Sequence, residues 1–317
     1  MTRYYALHSH VTAIEAWPAL ADAIHARLEP FAVNAGIPTL SIAFTAASAP
    51  TGDAEAGRGR PVYELPDGVV TYDDDRDRLT IAVGERVRAA CEAGAGRARV
   101  AVCAPEPSDL YLLSHPVLSL LVMELLKRRR LFPLHAAGLA LDGRGVLLAG
   151  TSGAGKSTLS VALARAGFSF LSDDTVFLEA SAPGWQVRAF PDQIDLCADA
   201  VDLFPELQHT AHGALPPNWR KRQIRAESIY GAPIAWVARP HTLIFPRVAG
   251  RSRSALHRIS PEEALIELAP NVLLTEPGAS QEHLDALAGI ASQCACFRLE
   301  TGRALDEAVA IVRAAAA

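Results

Sequence analysis

The sequence predicts an α/β protein in which a phosphate-binding loop joins a strand to a helix, preceded by a smaller α+β module. An apolar strand, 146–149, runs directly into a glycine-rich loop, and a helix-compatible run, 158–166, follows that loop. A second short strand after the helix ends in two adjacent aspartates. The pattern of apolar segments and turns changes near residue 130, so we predict an N-terminal module over 1–130 and a main domain over 131–317.

The composition is that of an ordinary globular protein. Half of the 317 residues are apolar and the formal net charge is −5, so no overall field favours nucleic acid as a partner. The five cysteines are scattered, the N-terminal stretch lacks a signal-peptide core, and no apolar run approaches the ~20 residues of a membrane span. We expect a protein of the reducing cytoplasm with no membrane partner, and the sequence leaves a homo-oligomer open.

The sequence of the N-terminal module predicts short helices and strands separated by turns and loops. Its predicted elements are a helix over 14–28, a strand over 39–45, a mobile loop over 46–60, short strands over 61–83, a strand over 99–103 and a helix over 109–130. The last helix is interrupted near Pro116 and ends in four basic residues, 127–130. These cations complement the dipole at a helix C-terminus, and docking of an acidic partner is the alternative interpretation.

The main domain opens with a predicted β-hairpin, strands 138–141 and 146–150 around an Asp-Gly turn. The second strand leads into a run that matches G-x-x-x-x-G-K-[ST] in full: Gly150, Thr151, Ser152, Gly153, Ala154, Gly155, Lys156, Ser157 and Thr158. In this pattern the glycines let backbone N–H groups turn inward onto phosphate oxygens, at the positive end of the following helix. Lys156 would contact the β- and γ-phosphates and Ser157 would bind Mg²⁺, so the sequence predicts ATP and Mg²⁺ as cofactors.

Two carboxylates follow the next predicted strand, 168–171. Asp173 and Asp174 come 17 and 18 residues after Lys156, so a strand beside the loop strand would bring them to the phosphates. One carboxylate could take a proton from an attacking hydroxyl while the other holds Mg²⁺, and a surface turn is the alternative. His135 precedes the hairpin, and its spacing alone leaves a phosphoryl-site role and a structural role equally open.

At these residues the chain resembles the HPr kinase/phosphorylase family and its divergent kinase-like relatives, whose catalytic fold is similar to that of phosphoenolpyruvate carboxykinase. The resemblance covers about 45 residues, in the segments 134–138, 146–159 and 167–176. It implies that Asp173 is the base that accepts the proton of a serine hydroxyl. It also implies that Asp174 and Ser157 are metal-associated and that His135 belongs to the phosphoryl site.

The chain departs from that family at two places. Thr158 and Leu159 follow Ser157 where the family usually carries an acidic residue, and the family's Glu-x-Arg-Gly-x-Gly stretch is absent. Residues 190–196 occupy that region, where Asp192 or Asp195 could replace the missing acid or lie in a strand and turn. The reverse, phosphorylase reaction is therefore not expected. The chain is more similar to kinase-like relatives found with peptide-modification systems, some of which phosphorylate a serine of a ribosomal peptide precursor.

A basic cluster at 219–225 follows two prolines and predicts a loop that leads into a strand. Lys221 and Arg222 could clamp a phosphate or an acidic peptide, and an exposed basic loop is the alternative.

Taken together, the sequence predicts an ATP-dependent kinase acting on a serine of a protein or peptide. A small-molecule hydroxyl kinase and a non-catalytic ATP-binding sensor or assembly protein remain as alternatives.

Overall fold

The computed structural model describes residues 1–47, 59–65, 67–207 and 221–317 of a mixed α/β chain. The chain divides into two compact units. The first consists of Met1–Leu131 together with Leu273–Glu282, and the second of Phe132–Val272 together with His283–Ala317. Residues 273–282 fall within the predicted main domain, 131–317, and group with the first unit.

The first unit is built on one mixed sheet with helices packed against it. Its elements are β1 Thr2–Leu7, β2 His10–Glu15, α1 Pro18–Leu28, β3 Ala32–Val33, β4 Leu40–Ala47, β5 Arg60–Leu65, β6 Gly68–Asp73, β7 Arg78–Val83, β8 Val87–Glu92, β9 Arg97–Cys103, α2 Asp109–Leu112 and α3 Leu118–Lys127. Within the described residues the strand order is β3-β1-β2-β4-β9-β8-β7-β6-β5. The antiparallel run from β5 to β9 is a meander, because each hairpin pairs strands that are neighbours in sequence.

One prediction for this unit needs correction, one lies mostly outside the described residues and one is confirmed. The predicted helix over 14–28 begins only at Pro18, because residues up to Glu15 continue strand β2 and a proline favours the first helical turn. Of the predicted loop over 46–60, residues 48–58 lie outside the described part, and Ala47 and Arg60 belong to strands. The predicted strand over 39–45 is confirmed as β4.

The helical stretch Asp109–Lys127 is interrupted at Leu113–Val117 by a π-helical turn that contains Pro116, as the sequence predicts. By length and composition this stretch of 19 residues, with a mean hydropathy of 1.4, would suffice to cross a membrane. The expectation that no apolar run approaches that length is therefore wrong. Just over half of its most apolar window, 56%, is buried inside the protein, which is also typical of a core helix.

The second unit carries the predicted hairpin and the loop that follows it. Its elements are β10 Phe132–Leu141, β11 Arg144–Ala149, α4 Lys156–Arg165, β12 Ser169–Ser172, β13 Thr175–Ala180, β14 Trp185–Arg188, β15 Ile194–Cys197, α5 Ala198–Val201, β16 Lys221–Ile224, α6 Ala226–Tyr230, β17 Val237–Val248, β18 Ala255–Arg258, α7 Pro261–Leu268, the part of α8 (Pro277–Gln293) from His283 onward, β19 Ala295–Thr301 and α9 Leu305–Ala316. The hairpin β10–β11 turns at Asp142 and Gly143, whose positive φ angles of 50° and 78° suit a tight two-residue turn.

The strand directions in this unit determine which loops meet. Strand β10 is antiparallel to both β11 and β12, so β11 and β12 run in the same direction. Strands β17 and β19 are parallel to β11 and to each other. The carboxyl ends of β11, β12, β17 and β19 therefore lie at one edge of the sheet, where ligands of open α/β sheets bind.

Apolar side chains fix helix α4 on this sheet. Leu159 and Leu163 of the helix are fully buried in one cluster with Leu148 of β11, Ile244 of β17 and Val312 of α9. Burying a leucine side chain of this kind stabilises the fold by about 1.5–3 kcal/mol. The helix that follows the glycine-rich loop is thereby held with its N-terminus at the carboxyl edge of the sheet.

Candidate functional site

Residues 150–155, here called the glycine loop, connect the end of β11 to the start of α4. Gly150, Gly153 and Gly155 have φ angles of 146°, 80° and 94°, a region that residues with a side chain rarely adopt. Space is also limited, because a Cβ atom on Gly155 would lie 3.3 Å from Cγ2 of Val248. The three glycines thus let the backbone take a compact path that ends at the N-terminus of a helix.

Lys156 folds back across this loop. Its Nζ donates hydrogen bonds to the carbonyl oxygens of Gly150, at 2.6 Å, and Thr151, at 3.2 Å, and the residue is only 8% exposed. The ammonium group therefore lies inside the curve of the loop, close to the positive end of α4. Together the ammonium group and the helix N-terminus concentrate positive charge at the glycine loop.

Ser157 and Asp173 are brought into direct contact. The Ser157 hydroxyl donates a 2.7 Å hydrogen bond to Oδ2 of Asp173, which follows the last residue of β12. Strand β12 pairs with β10 at Gly138, which faces Ser172, and a Cβ on Gly138 would lie only 3.2 Å from Cβ of Leu171 in β12. The structure thus places the first of the two predicted carboxylates beside the start of α4.

The environment of Asp173 makes its carboxyl group unusually basic. The residue is 5% exposed, and burial is the main reason why its pKa rises from 3.8 to about 7. The hydrogen bond from Ser157 opposes this rise, whereas the negative charges of Asp174 and Asp195 add to it. Such a carboxyl group can exchange a proton near neutral pH.

Asp174 and His135 form a second, more exposed pair. Nδ1 of His135 lies 3.1 Å from Oδ1 of Asp174, and 42% of the His135 side chain and 68% of the Asp174 side chain are exposed. Strands β10 and β13 pair His135 with Thr175, and the Thr175 hydroxyl donates to Oδ2 of Asp174 at 3.2 Å. The structure therefore brings together Lys156, Ser157, Asp173, Asp174 and His135 within one region at the carboxyl edge of the sheet.

The other sequence candidates have different outcomes. The backbones of Lys221 and Arg222 lie in strand β16, opposite Cys197 and Leu196 of β15, and nothing is described of their side chains. The predicted loop at 219–220 lies outside the described residues. Asp195 lies in β15, close enough to Asp173 to raise its pKa.

Ser160 is a site residue that the sequence analysis misses. It is fully buried in α4, its hydroxyl donates to the carbonyl of Lys156 at 3.0 Å, and it lies close enough to Asp173 to lower the pKa of that carboxyl group. Its spacing of three residues from Ser157 puts the two hydroxyls on the same side of the helix. This spacing is the sequence signal that could have identified Ser160.

The side-chain oxygen atoms of Ser157, Asp173 and Asp174 suit a hydrated magnesium ion. Oδ1 of Asp173 is buried and has no hydrogen-bond partner among the residues that the structure describes, while neighbouring carboxylates add negative charge. A cation at Ser157 and the two aspartates would relieve that charge. In the described part of the chain no group of three or more His, Cys, Asp or Glu side chains converges on one point. Mg²⁺ commonly binds through one or two carboxylates together with substrate phosphates and water.

Comparisons with known proteins give a family match and a weak structural likeness. A family model described as "SynChlorMet cassette protein ScmC" matches residues 102–212. No curated protein sequence matches the chain. Among solved structures, the Hpr(Ser) kinase/phosphatase from Coxiella burnetii matches with 19% sequence identity and a TM-score of 0.25, over 40% of this chain and 77% of that chain. The chain is thus similar, over residues 102–212, to a family of cassette proteins, and the structural likeness is too weak to carry an argument.

Proposed function

We propose that this chain is a Mg²⁺-dependent kinase that transfers the γ-phosphoryl group of ATP to a hydroxyl group. The observation that carries the proposal is the contact between Ser157 and Asp173, next to a lysine folded into the glycine loop. A loop that only binds an anion needs no buried carboxyl group beside it, because a carboxylate there opposes anion binding. A role as the base beside the transferred phosphoryl group would account for the buried carboxyl group of Asp173.

Each residue then has a defined task. Asp173 accepts the proton of the attacking hydroxyl, and Ser157 holds the Asp173 carboxylate in place through Oδ2. Lys156 and the loop N–H groups stabilise negative charge on the phosphoryl oxygens. Ser157 and Asp174 would hold Mg²⁺, which when bound neutralises the charge of the phosphates. His135 orients Asp174 through the contact of its Nδ1 atom.

The buried position of Asp173 sets a condition on this mechanism. Oδ1 is the carboxylate oxygen that remains available, and it is covered by surrounding atoms. An acceptor hydroxyl reaches Oδ1 only after a local rearrangement, and catalytic hydrogen bonds often tighten only in the complex with substrate. Burial also keeps water from competing with the acceptor for the phosphoryl group.

The acceptor that we propose is a serine of a protein or a ribosomal peptide precursor. The match of residues 102–212 to a family named for a cassette supports this choice, because cassette proteins act with partners encoded beside them. A small-molecule hydroxyl kinase would use the same loop and base. A nucleotide-binding sensor would use the loop but would not need Asp173 as a base.

Replacing Lys156 with Ala is expected to weaken the binding of Mg·ADP by roughly 10- to 100-fold, since a charged hydrogen-bond donor to the phosphates is lost. Isothermal titration calorimetry of the full chain measures the change. Arg165→Ala is the matched control, because Arg165 is a cation in the last turn of the same helix, α4. Equal ADP affinity in Lys156→Ala, Arg165→Ala and the unchanged protein would contradict the nucleotide site.

The rate of transfer is expected to rise with pH through about 7. Because the pKa of Asp173 is raised to about 7, the carboxyl group is protonated and inactive as a base below that pH. The measurement is kcat/KM for the acceptor at low Mg·ATP between about pH 5.5 and 8.5, which reports the pKa of the free protein. At saturating Mg·ATP the midpoint moves to lower pH, since a nearby cation favours the carboxylate. A flat profile under both conditions would contradict Asp173 as the base.

A further inference from the structure

Two more loops begin at the edge of the sheet where the glycine loop lies. Strand β17 pairs in parallel with β11, and β19 pairs in parallel with β17, so residues 249–254 and 302–304 emerge at the same edge as the loop. The contact is close: Cγ2 of Val248, the last residue of β17, lies 3.3 Å from the position of a Cβ on Gly155. Residues 249–254 are called the arginine loop here, because they contain Arg251 and Arg253.

Hydrogen bonds hold the arginine loop in a defined position. The N–H of Arg303 donates to the carbonyl of Arg251 at 3.1 Å, and the N–H of Gly302 donates to Oγ of Ser254 at 3.0 Å. The N–H of Ser254 in turn donates to a carboxylate oxygen of Glu307 at 2.7 Å. Gly302 leaves no room for a side chain, because a Cβ there would lie 2.6 Å from the backbone carbon of Arg253. Binding a ligand would therefore cost this loop little ordering entropy.

The positive charges of the arginine loop and of the neighbouring Arg303 are only partly neutralised within the protein. Arg251 forms an ion pair with Glu300, with 2.7 Å between Nη1 and Oε2. Arg253 and Arg303 are exposed, and neither side chain forms an ion pair with any residue in the described part of the chain. The opposite flank of the glycine loop carries Asp173 and Asp174. The site is thus acidic on one flank and basic on the other.

The geometry of phosphoryl transfer assigns the two flanks to different ligands. The attacking and the leaving oxygen stand roughly in line on opposite sides of the transferred phosphorus. The base Asp173 follows β12, which lies on the β10 side of β11, whereas the arginine loop follows β17 on the other side. An acceptor that approaches from Asp173 therefore leaves the rest of the nucleotide on the side of the arginine loop.

We infer that Arg253 of the arginine loop and Arg303 of the neighbouring segment 302–304 bind the α- and β-phosphates of the nucleotide. This inference rests on the proposed function, since it takes the direction of attack from Asp173. The ligand is anionic and the two guanidinium groups are cationic donors suited to phosphate oxygens. The acceptor, on this account, makes no contact with the arginine loop.

The test measures the affinity of the full chain for Mg·ADP by titration calorimetry. Arg253→Ala and Arg303→Ala are each expected to weaken the binding of ADP by roughly tenfold, the effect of one charged hydrogen bond. Arg239→Ala is the matched control, because Arg239 is exposed and lies on the same strand β17 but near its opposite end. Adenosine, which has no phosphate, is expected to bind all four proteins equally.

Three results would overturn the inference. One is an unchanged affinity for ADP in Arg253→Ala and Arg303→Ala. Another is a loss of equal size in Arg239→Ala, which would make the effect one of net charge. The third is a raised KM for the acceptor in Arg253→Ala or Arg303→Ala, which would assign these arginines to the acceptor instead. In each case a strong effect of Lys156→Ala would leave the proposed function standing, whereas no ADP binding by the unchanged protein would remove that function itself.

Discussion

Asp173→Asn is expected to slow phosphoryl transfer by about 10²–10⁴-fold while the protein still binds Mg·ADP. The amide has the shape of the carboxyl group, and its oxygen can still accept the hydrogen bond from Ser157. What it lacks is the ability to take up a proton. The measurement is kcat at about pH 8 with ATP labelled in the γ-phosphoryl group, above the raised pKa of Asp173.

The same variant gives a second result that needs no acceptor. Because the pKa of Asp173 is higher in the folded protein than its ordinary value of 3.8, the folded state binds the proton more tightly. The resulting stability is fully present at low pH and is lost as the pH rises through about 7. Asp173→Asn removes the buried charge, so we expect it to raise the melting temperature above pH 7 and to have little effect in acid.

Asp306→Asn is the control for both measurements. Its carboxyl group is 92% exposed at the start of α9, and the change should alter neither the rate nor the pH dependence of melting. Transfer by Asp173→Asn at the full rate would remove Asp173 as the base. A melting temperature that responds to pH equally in the variant and the unchanged protein would show that the Asp173 carboxyl group is not desolvated.

Lys127→Met is expected to lower the free energy of unfolding by about 3–5 kcal/mol. Nζ of Lys127 lies 2.8 Å from Oε2 of Glu124, and both side chains are 1% exposed. Lys127 also donates to the carbonyl of Leu273 and to the hydroxyl of Thr275, whose hydroxyl bonds Glu124. Removing the lysine leaves a buried carboxylate without its cation. Urea unfolding followed by circular dichroism measures the loss.

A double variant separates the cost of an unpaired charge from the net value of the pair. Glu124→Leu combined with Lys127→Met is expected to recover most of the lost stability, because two apolar side chains replace two buried ions. Arg130→Ala is the control: its side chain is 74% exposed, it pairs with Glu282 at 3.6 Å, and its loss should cost less than about 1 kcal/mol. Equal urea midpoints for Lys127→Met and the unchanged protein would contradict this account of the buried pair.

Local signals allowed the sequence to predict the region of the glycine loop. The turn at Asp142 and Gly143 and the strand, loop and helix that follow depend on neighbours within a few residues. The contact of Ser157 with Asp173 spans only one helix and one strand, so the spacing of the two residues already indicates it. The pairing of His135 with Asp174 follows from the register of β10 and β13, which the sequence did not provide.

Features that depend on distant residues could not be predicted in this way. Lys127 begins a run of four basic residues that the sequence places at a helix C-terminus, where they complement the dipole, yet Lys127 is buried, since Thr275 arrives from 148 residues further along the chain. The remaining three cations also bind within the first unit: Arg128 to Asp77, Arg129 to the carbonyl of Ala93, and Arg130 to Glu282. The arginine loop was missed because only the parallel pairing of β17 with β11 brings it to the glycine loop.

The most direct test of the central claim is the transfer of a labelled γ-phosphoryl group from Mg·ATP to serine-containing peptides and to proteins encoded beside this chain. The account predicts phosphoserine, identified by mass spectrometry, in one such acceptor with the unchanged protein and a loss of at least about a hundredfold with Asp173→Asn. Binding of Mg·ADP without labelling of any acceptor, protein or small molecule, would contradict the account and favour a nucleotide-binding protein that performs no transfer.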